Sequence, residues 1–298
     1  MKRVVVIGSA NMDVVIRVSH IPASGETILS KGVKKFPGGK GANQAMAATR
    51  LGGNVAMVGC VGDDEHGHLL LLSMEAGGIN TSAIESLENS HTGTAYIYVS
   101  DKGENNIVVD SGANNNVTIE KIARHQHLFE DAAYCLVQLE IPLTSVYYIA
   151  ELCRQHDVKL IINPAPAAIL DFERLKGTWM IVPNENELNT LIPQGDDVSA
   201  KAKILVEKGF GHVLVTLGEQ GCILTDGCKE VAYPAYTKIT VRDTTAAGDS
   251  FIGALAFCLS TDMSLEKAIN LATKAAAITV SRDGAQQSMP VWEDIKNL

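Results

Sequence analysis

The run Asp243-Thr244-Thr245-Ala246-Ala247-Gly248-Asp249 leads a polar cluster into an apolar helical stretch at residues 251–259. Small residues leave backbone N–H groups uncovered at a helix N-terminus, where the helix dipole also favours an anion. Gly248 lets a phosphate come close to the backbone. Asp249 then sets a carboxylate beside that anion. The pairing is repulsive unless the carboxylate acts on the partner, and accepting the proton of an attacking hydroxyl is such an act. The same spacing also describes an ordinary capped helix with a glycine turn.

Four further clusters could do chemistry. Phe36-Pro37-Gly38-Gly39-Lys40-Gly41-Ala42-Asn43 opens another helical stretch, and its glycines around one lysine suit close approach of a polar ligand. It is not a Walker A loop, since position 34 is Lys and position 41 is Gly; a flexible strand-to-helix turn is the plain alternative. Gly8-Ser9-Ala10-Asn11-Met12-Asp13 follows a first apolar run. In an extended segment Asn11 and Asp13 point the same way, and an amide beside a carboxylate grips adjacent sugar hydroxyls. A dinucleotide fold would place G-x-G-x-x-G here, where only Gly8 stands. Asn184-x-x-Glu187 offers the oxygen ligands that Mg²⁺ prefers, and equally the spacing of an N-terminal capping box. Thr216-Leu217-Gly218-Glu219-Gln220-Gly221 suits a nucleotide lying over backbone, and is weak alone. The pairs His66/His68 and His125/His127 have no third metal ligand nearby in sequence.

These clusters must be carried by a frame. Strand-like apolar runs at 4–7, 55–58, 134–139, 159–162, 179–182 and 212–216 alternate with helical patterns at 44–51, 67–76, 143–156, 200–208, 251–259 and 265–280. That alternation predicts an α/β fold, a parallel sheet between two helical layers. Extended pieces at 14–18, 26–35, 94–100 and 105–110, the last two flanking the turn Asp101-Lys102-Gly103-Glu104, have no helices between them. They predict a small separate β-sheet within about 12–37 and 92–112, whose apolar face a sugar, a partner subunit or both would cover.

The chain of 298 residues carries a net charge of −9, which argues against nucleic-acid or anionic-membrane partners. No apolar stretch approaches the ~20 residues of a membrane span. The six cysteines form no C-x-x-C pair and read as buried, reduced thiols of a cytoplasmic protein. The N-terminal run stops after four apolar residues and reads as a buried strand rather than a leader.

Taken together the clusters resemble the ribokinase-type (phosphofructokinase-B) family of sugar kinases. The first family signature appears as Gly38-Gly39-Lys40-Gly41-Ala42-Asn43, followed by Gly52 and Gly62; the second runs from Asp243 to Asp249 and on through Gly253-Ala254. Gln138-Leu139-Glu140 and Asn163-Pro164-Ala165-Pro166 also fit, and the resemblance covers essentially the whole chain, 1–298, as one catalytic domain. It implies an ATP-dependent kinase acting on the 5-hydroxyl of D-ribose. Asn11, Asp13, Gly39, Lys40, Asn43 and Glu140 would hold the sugar, with Asp249 as the base. Backbone N–H groups of Ala246, Ala247 and Gly248 would form an anion hole. Asn184, Thr216, Gly218, Gly221, Gly248 and Thr273 would lie along ATP, and Glu187 would position Mg²⁺ through water. An activating K⁺ would sit at Asp243, Thr245, Thr279, Arg282, Gly284 and Ser288, mostly through backbone carbonyls. The small sheet would be a lid, and two lids would pack into a homodimer.

Thr245 and Thr273 stand where the best-known member of the family has Ile and His, and Ala-Ala-Gly-Asp stands where many members have Gly-Ala-Gly-Asp. The departures touch the nucleotide and cation side, not the sugar side. Other acceptors on the same fold remain open: deoxyribose, a nucleoside such as pseudouridine, or a hexose derivative. A non-catalytic sugar or nucleotide sensor has no need of Asp249, and a dinucleotide-dependent oxidoreductase lacks its glycine fingerprint.

Overall fold

A computed structural model describes residues 2–298. The chain runs β1 (Arg3–Ile7), β2 (Asn11–Arg17), β3 (Gly32–Gly38), α1 (Lys40–Arg50), β4 (Val55–Gly62), α2 (Glu65–Ala76), β5 (Asn80–Leu87), β6 (Gly93–Val99) and β7 (Asn105–Asp110). It continues through α3 (Ile119–Arg124), β8 (Ala132–Val137), α4 (Leu143–Gln155), β9 (Lys159–Ile162), α5 (Phe172–Leu175), β10 (Met180–Ile181), α6 (Glu185–Leu191) and α7 (Val198–Glu207). The last part is β11 (His212–Thr216), β12 (Cys222–Thr225), β13 (Glu230–Tyr233), α8 (Ala247–Ser260), α9 (Leu265–Val280) and α10 (Trp292–Lys296).

A nine-stranded sheet has the order β13-β12-β11-β10-β9-β8-β1-β4-β5. It is parallel from β11 to β5, and β12 and β13 add on antiparallel at one edge. β1 reads as an unbroken apolar run because both of its faces are covered. Val4 and Val6 enter the core under α1, α2, α8, α9 and α10, while Val5 and Ile7 enter the one under α3 to α7. The chain leaves β1 toward β4 on one side and returns to β8 on the other, so the sheet's switch point lies beside β1. In such sheets ligands bind past the carboxyl ends of the strands at that point.

The small separate sheet has the order β3-β2-β6-β7. Its hairpin turn is where the sequence placed it, with Gly103 at φ 82°. The expected strand at 26–35 instead forms at Gly32–Gly38. Pairing with β2, from Asn11 opposite Gly38 to Arg17 opposite Gly32, sets its register. Pro37 is tolerated because β3 is an edge strand. The helix expected at 44–51 begins at Lys40, directly after the glycines, and β5, β12 and β13 are strands that the strand–helix alternation does not predict.

Helices α1 and α8 cross closely. A Cβ on Gly253 would come within 2.4 Å of the Gln44 carbonyl oxygen and 2.6 Å of Ala47 Cβ. That contact sets the first turns of the two helices side by side.

Candidate functional site

The loops past β1, β8, β9, β10 and β11 converge. They supply Ser9, Glu140, Asn163, Asn184 with Glu187, and Gly218 respectively. With the start of α8 and the flank of α9 they line a cleft of about 830 Å³ that reaches from Thr273, Thr216 and Gly221 down to Lys40 and Asp249.

At the inner end, Glu140 gathers donors from three segments. Its Oε2 accepts from the Ser9 hydroxyl, from Asn11 Nδ2 at 3.4 Å and from the Lys40 backbone N–H at 3.2 Å. Asn114, from the turn Gly112–Asn116, donates to Asn11 Oδ1 at 2.7 Å and thereby points the Asn11 amide nitrogen at Glu140. Asn11 and Asp13 share a face of β2, as period-2 alternation requires. Gly39 caps α1 at φ 88°, and a Cβ there would sit 2.6 Å from the Asn11 backbone nitrogen. Only glycine brings α1 this close to β2.

Asp249 is buried, and two neighbouring amides of α1 hold it. Asn43 Nδ2 donates to Oδ2 and Gln44 Nε2 to Oδ1, each at 3.0 Å. Burial raises its pKa above the ordinary carboxylate range, against the pull of Lys40 and the two amides. Burial, then Glu140 and Asp249, push Asp13 up to about 7. Burial works to lower the pKa of Lys40, but Asp249, Glu140, Glu187 and Asp13 together raise it, so the lysine stays charged. Such crowding of shifted groups in a cleft is typical of sites that do proton chemistry.

At the outer end Asn184 and Glu187 do form the capping box. Asn184 Oδ1 accepts from the Glu187 N–H at 2.8 Å, and Glu187 Oε2 accepts from the Asn184 N–H at 2.9 Å. Both residues also line the cleft, so cap and ligand readings are compatible. Burial raises the Glu187 pKa, opposed by the Asn184 hydrogen bond and Lys40.

Ala246 is left-handed at φ 59° and caps α8. The N–H groups of Gly248 and Asp249 have no partner within the helix, as at any helix start. The Ala247 N–H donates to the Thr244 carbonyl at 3.3 Å, so this member of the expected anion hole is already engaged. A Cβ on Gly248 would meet nothing within 4 Å; the backbone there faces open cleft.

The residues expected to surround a monovalent cation lie on two segments pinned together by Asp243. Its carboxylate accepts from the Thr245 N–H at 2.9 Å and the Gly284 N–H at 3.0 Å. The Thr279 hydroxyl is bound to Ser250 at 2.7 Å, the Ser288 hydroxyl donates to Ala285, and Arg282 turns to Asp294 at 3.0 Å. These side chains already have protein partners, which favours backbone carbonyls as the ligands of the expected cation.

Ser9, Gln44, Asn114, Gln138 and Gln286 complete the site beyond the residues expected from the sequence. Gln44 Oε1 accepts from Gln138 at 2.6 Å, and its Nε2 also donates to Asn163 at 3.1 Å. The available signal was a polar Gln44 on the inner stripe of α1, where apolar residues otherwise stand.

A parallel α/β sheet with an open helix start, a caged carboxylate and a polar pocket beyond it defines a phosphoryl-transferring enzyme for small hydroxyl compounds. Residues 1–292 match the pfkB family of carbohydrate kinases, and the chain belongs to that family. It is 38% identical over 298 residues to the ribokinase of Bacillus subtilis, across 100% of this chain and 99% of the relative. A deoxyribokinase of Salmonella typhimurium is 35% identical over 295 residues, across 97% of this chain and 96% of the relative. The structure of Arabidopsis thaliana ribokinase complexed with ribose and ATP matches with a TM-score of 0.91 at 28% identity, covering 99% of this chain and 98% of that one.

Proposed function

We propose that this kinase transfers the γ-phosphoryl group of ATP to the 5-hydroxyl of D-ribose, giving D-ribose 5-phosphate and ADP. The observation that carries the reading is the buried Asp249 carboxylate, held by Asn43 and Gln44 where the long cleft meets the pocket of Asn11, Asp13 and Glu140. Asn11, Asp13, Gly39, Lys40, Asn43 and Glu140 bind the sugar. Asp249 takes the hydroxyl proton as the new P–O bond forms and the bond to the β-phosphate oxygen breaks. The N–H groups of Ala246 and Gly248, with the dipole of α8, hold the phosphoryl oxygens. Ala247 joins them if its bond to Thr244 opens. Asn184, Thr216, Gly218, Gly221, Gly248 and Thr273 line the nucleotide cleft.

Among the described residues no three His, Cys, Asp or Glu side chains converge as a metal cage. A Mg²⁺ would therefore take most of its ligands from phosphates and water, with Glu187 positioning it; when bound it neutralises phosphate charge. A K⁺ would be held mostly by the backbone carbonyls of Asp243, Thr245, Thr279, Arg282, Gly284 and Ser288, and would stiffen the loop that ends in the anion hole. The small sheet acts as a lid, excluding water from the transfer. Its Val33, Ile107, Val108 and Val109 are exposed, Ile107 and Val109 on the face that carries Asp13 and Val33 and Val108 on the other, and we place the partner subunit of a homodimer against this sheet. Six free thiols suit a cytoplasmic setting, and among the described residues no helix is long and apolar enough to cross a membrane.

The likeness to a deoxyribokinase favours 2-deoxyribose as the second candidate acceptor. The test is ADP release with ATP and Mg²⁺, with and without K⁺, across ribose, 2-deoxyribose, pseudouridine, adenosine and fructose 6-phosphate. Preference for ribose, raised by K⁺, is expected. Turnover only with another acceptor would overturn the sugar assignment. Ligand binding without any turnover would point to a sensor.

A further inference from the structure

Asn43 can present either its oxygen or its nitrogen to Asp249, because an amide carries both. A residue from the other end of the chain decides which. Gln286 is buried in the turn Gln286–Ser288 and donates from Nε2 to Asn43 Oδ1 at 3.1 Å. With that oxygen occupied, Asn43 Nδ2 faces Asp249 Oδ2 at 3.0 Å. Turning the Gln286 amide over would set its oxygen against Asn43 Oδ1, and turning Asn43 as well would set an oxygen against the carboxylate. One orientation alone pairs donor with acceptor at both contacts.

Gln286 makes a poor structural filler. Its Oε1 is buried with no partner among the described residues, which costs stability. The hydrogen bond its side chain does make goes to Asn43. Its backbone is held separately, since Arg50 Nη1, at the end of α1, donates to the Gln286 carbonyl at 3.0 Å.

We propose that Gln286 is a positioning residue for phosphoryl transfer, fixing through Asn43 the hydrogen-bond donor that aims the Asp249 carboxylate at the attacking hydroxyl. The inference rests on the reading of Asp249 as the base. The charged groups facing Asp249 are Lys40 from α1, Asp13 from β2 and Glu187 from α6, with Glu140 behind Asp13 and Lys40. The amide donors favour the ionised carboxylate. Losing the one from Asn43 moves the acid limb of the kcat profile to higher pH.

The experiment is Gln286→Leu, alone and in an Asn43→Ala background, with kcat followed against pH and with KM for ATP and thermal unfolding measured alongside. A misaimed base at neutral pH lowers kcat by about 10-fold or more. The acid limb shifts upward, while KM for ATP and the melting temperature stay near the parent's. In the Asn43→Ala background the same change has no further effect on kcat or the limb. An unmoved acid limb in the folded variant, or an equal loss repeated in the Asn43→Ala background, would overturn the proposal. Gln286→Ala keeps the backbone bond from Arg50 and gives the same readings if leucine crowds the turn. Asp249→Asn separates the two claims. If it is inactive while the Gln286 variants match the parent, this inference alone falls; if it turns over normally, the base assignment falls with it.

Discussion

As the proposed base, Asp249 must be free of its proton, in a pocket where Asp13, Glu140 and Glu187 stand nearby and Lys40 supplies the opposing charge. Replacing it with asparagine keeps its shape and removes the basic site. Asp249→Asn is expected to leave sugar binding largely intact, read by calorimetry, and to cut kcat by at least ~100-fold. Because burial raises the pKa of Asp249, activity in the parent should fail on the acid side at a higher pH than an ordinary carboxylate would give. Asp13 gives a stability test. Its carboxyl titrates from 3.8 to about 7 between the unfolded and folded states. The folded chain therefore holds the proton more tightly, and its stability falls as pH rises through that window. Asp13→Asn should raise the melting temperature of the ligand-free protein at pH 7 and above, with the gain vanishing near pH 4, while weakening sugar binding. A gain independent of pH would contradict this account. Asn11, Asp13 and Asp249 were legible as residue types in spaced clusters. Gln44, Asn114 and Gln286 were not, because their partners lie far along the chain.

Helices α1 and α8 bring those distant partners together. Gly253 is the point of contact, so the interhelical distance at the site depends on the absence of a side chain there. Gly253→Val pushes α8 away from Gln44 and Ala47. Overpacking of this kind costs about 1–3 kcal/mol, readable by urea denaturation. The kcat of the folded fraction should fall as well, because Asp249 rides on α8 and its two donors on α1. Full activity in a destabilised variant would show that the crossing serves stability alone. Helix type and position are readable from apolar periodicity, whereas α1 and α8 begin ahead of their apolar stretches, at Lys40 and Ala247. Those first turns are polar or small because they face the site rather than the core, and periodicity reports only the core-facing stripe.

The whole molecule sets a small apolar sheet beside a large buried one. Exposed Ile107 and Val109 share one face of β7, with Val108 on the other, and solvent does not favour such apolar surface. Ile107→Asp should convert a dimer to a monomer in sedimentation equilibrium. If the lid depends on its partner for closure, the same variant should raise KM for the sugar more than KM for ATP. A parent that sediments as a monomer at micromolar concentration would remove the partner from the lid. The strand order follows rules of handedness and short connections that the strand–helix alternation carries with it. The antiparallel strands β12 and β13 are only four residues long, and β13 is mostly exposed, so neither carries a long apolar run that marks it in the sequence.

By itself the sequence determined the parallel α/β frame, the separate sheet and the clusters around Asp249 and its glycine loops from which the proposed base is drawn. Each rests on local pattern: period, turn chemistry, and small residues at helix starts. The tertiary structure alone decided where β3 begins, which groups the Asp243 carboxylate pins together, and which amides hold Asp249. Strand register comes from pairing, and hydrogen bonds between residues more than two hundred positions apart come from packing. Neither is encoded in the order of neighbouring residues.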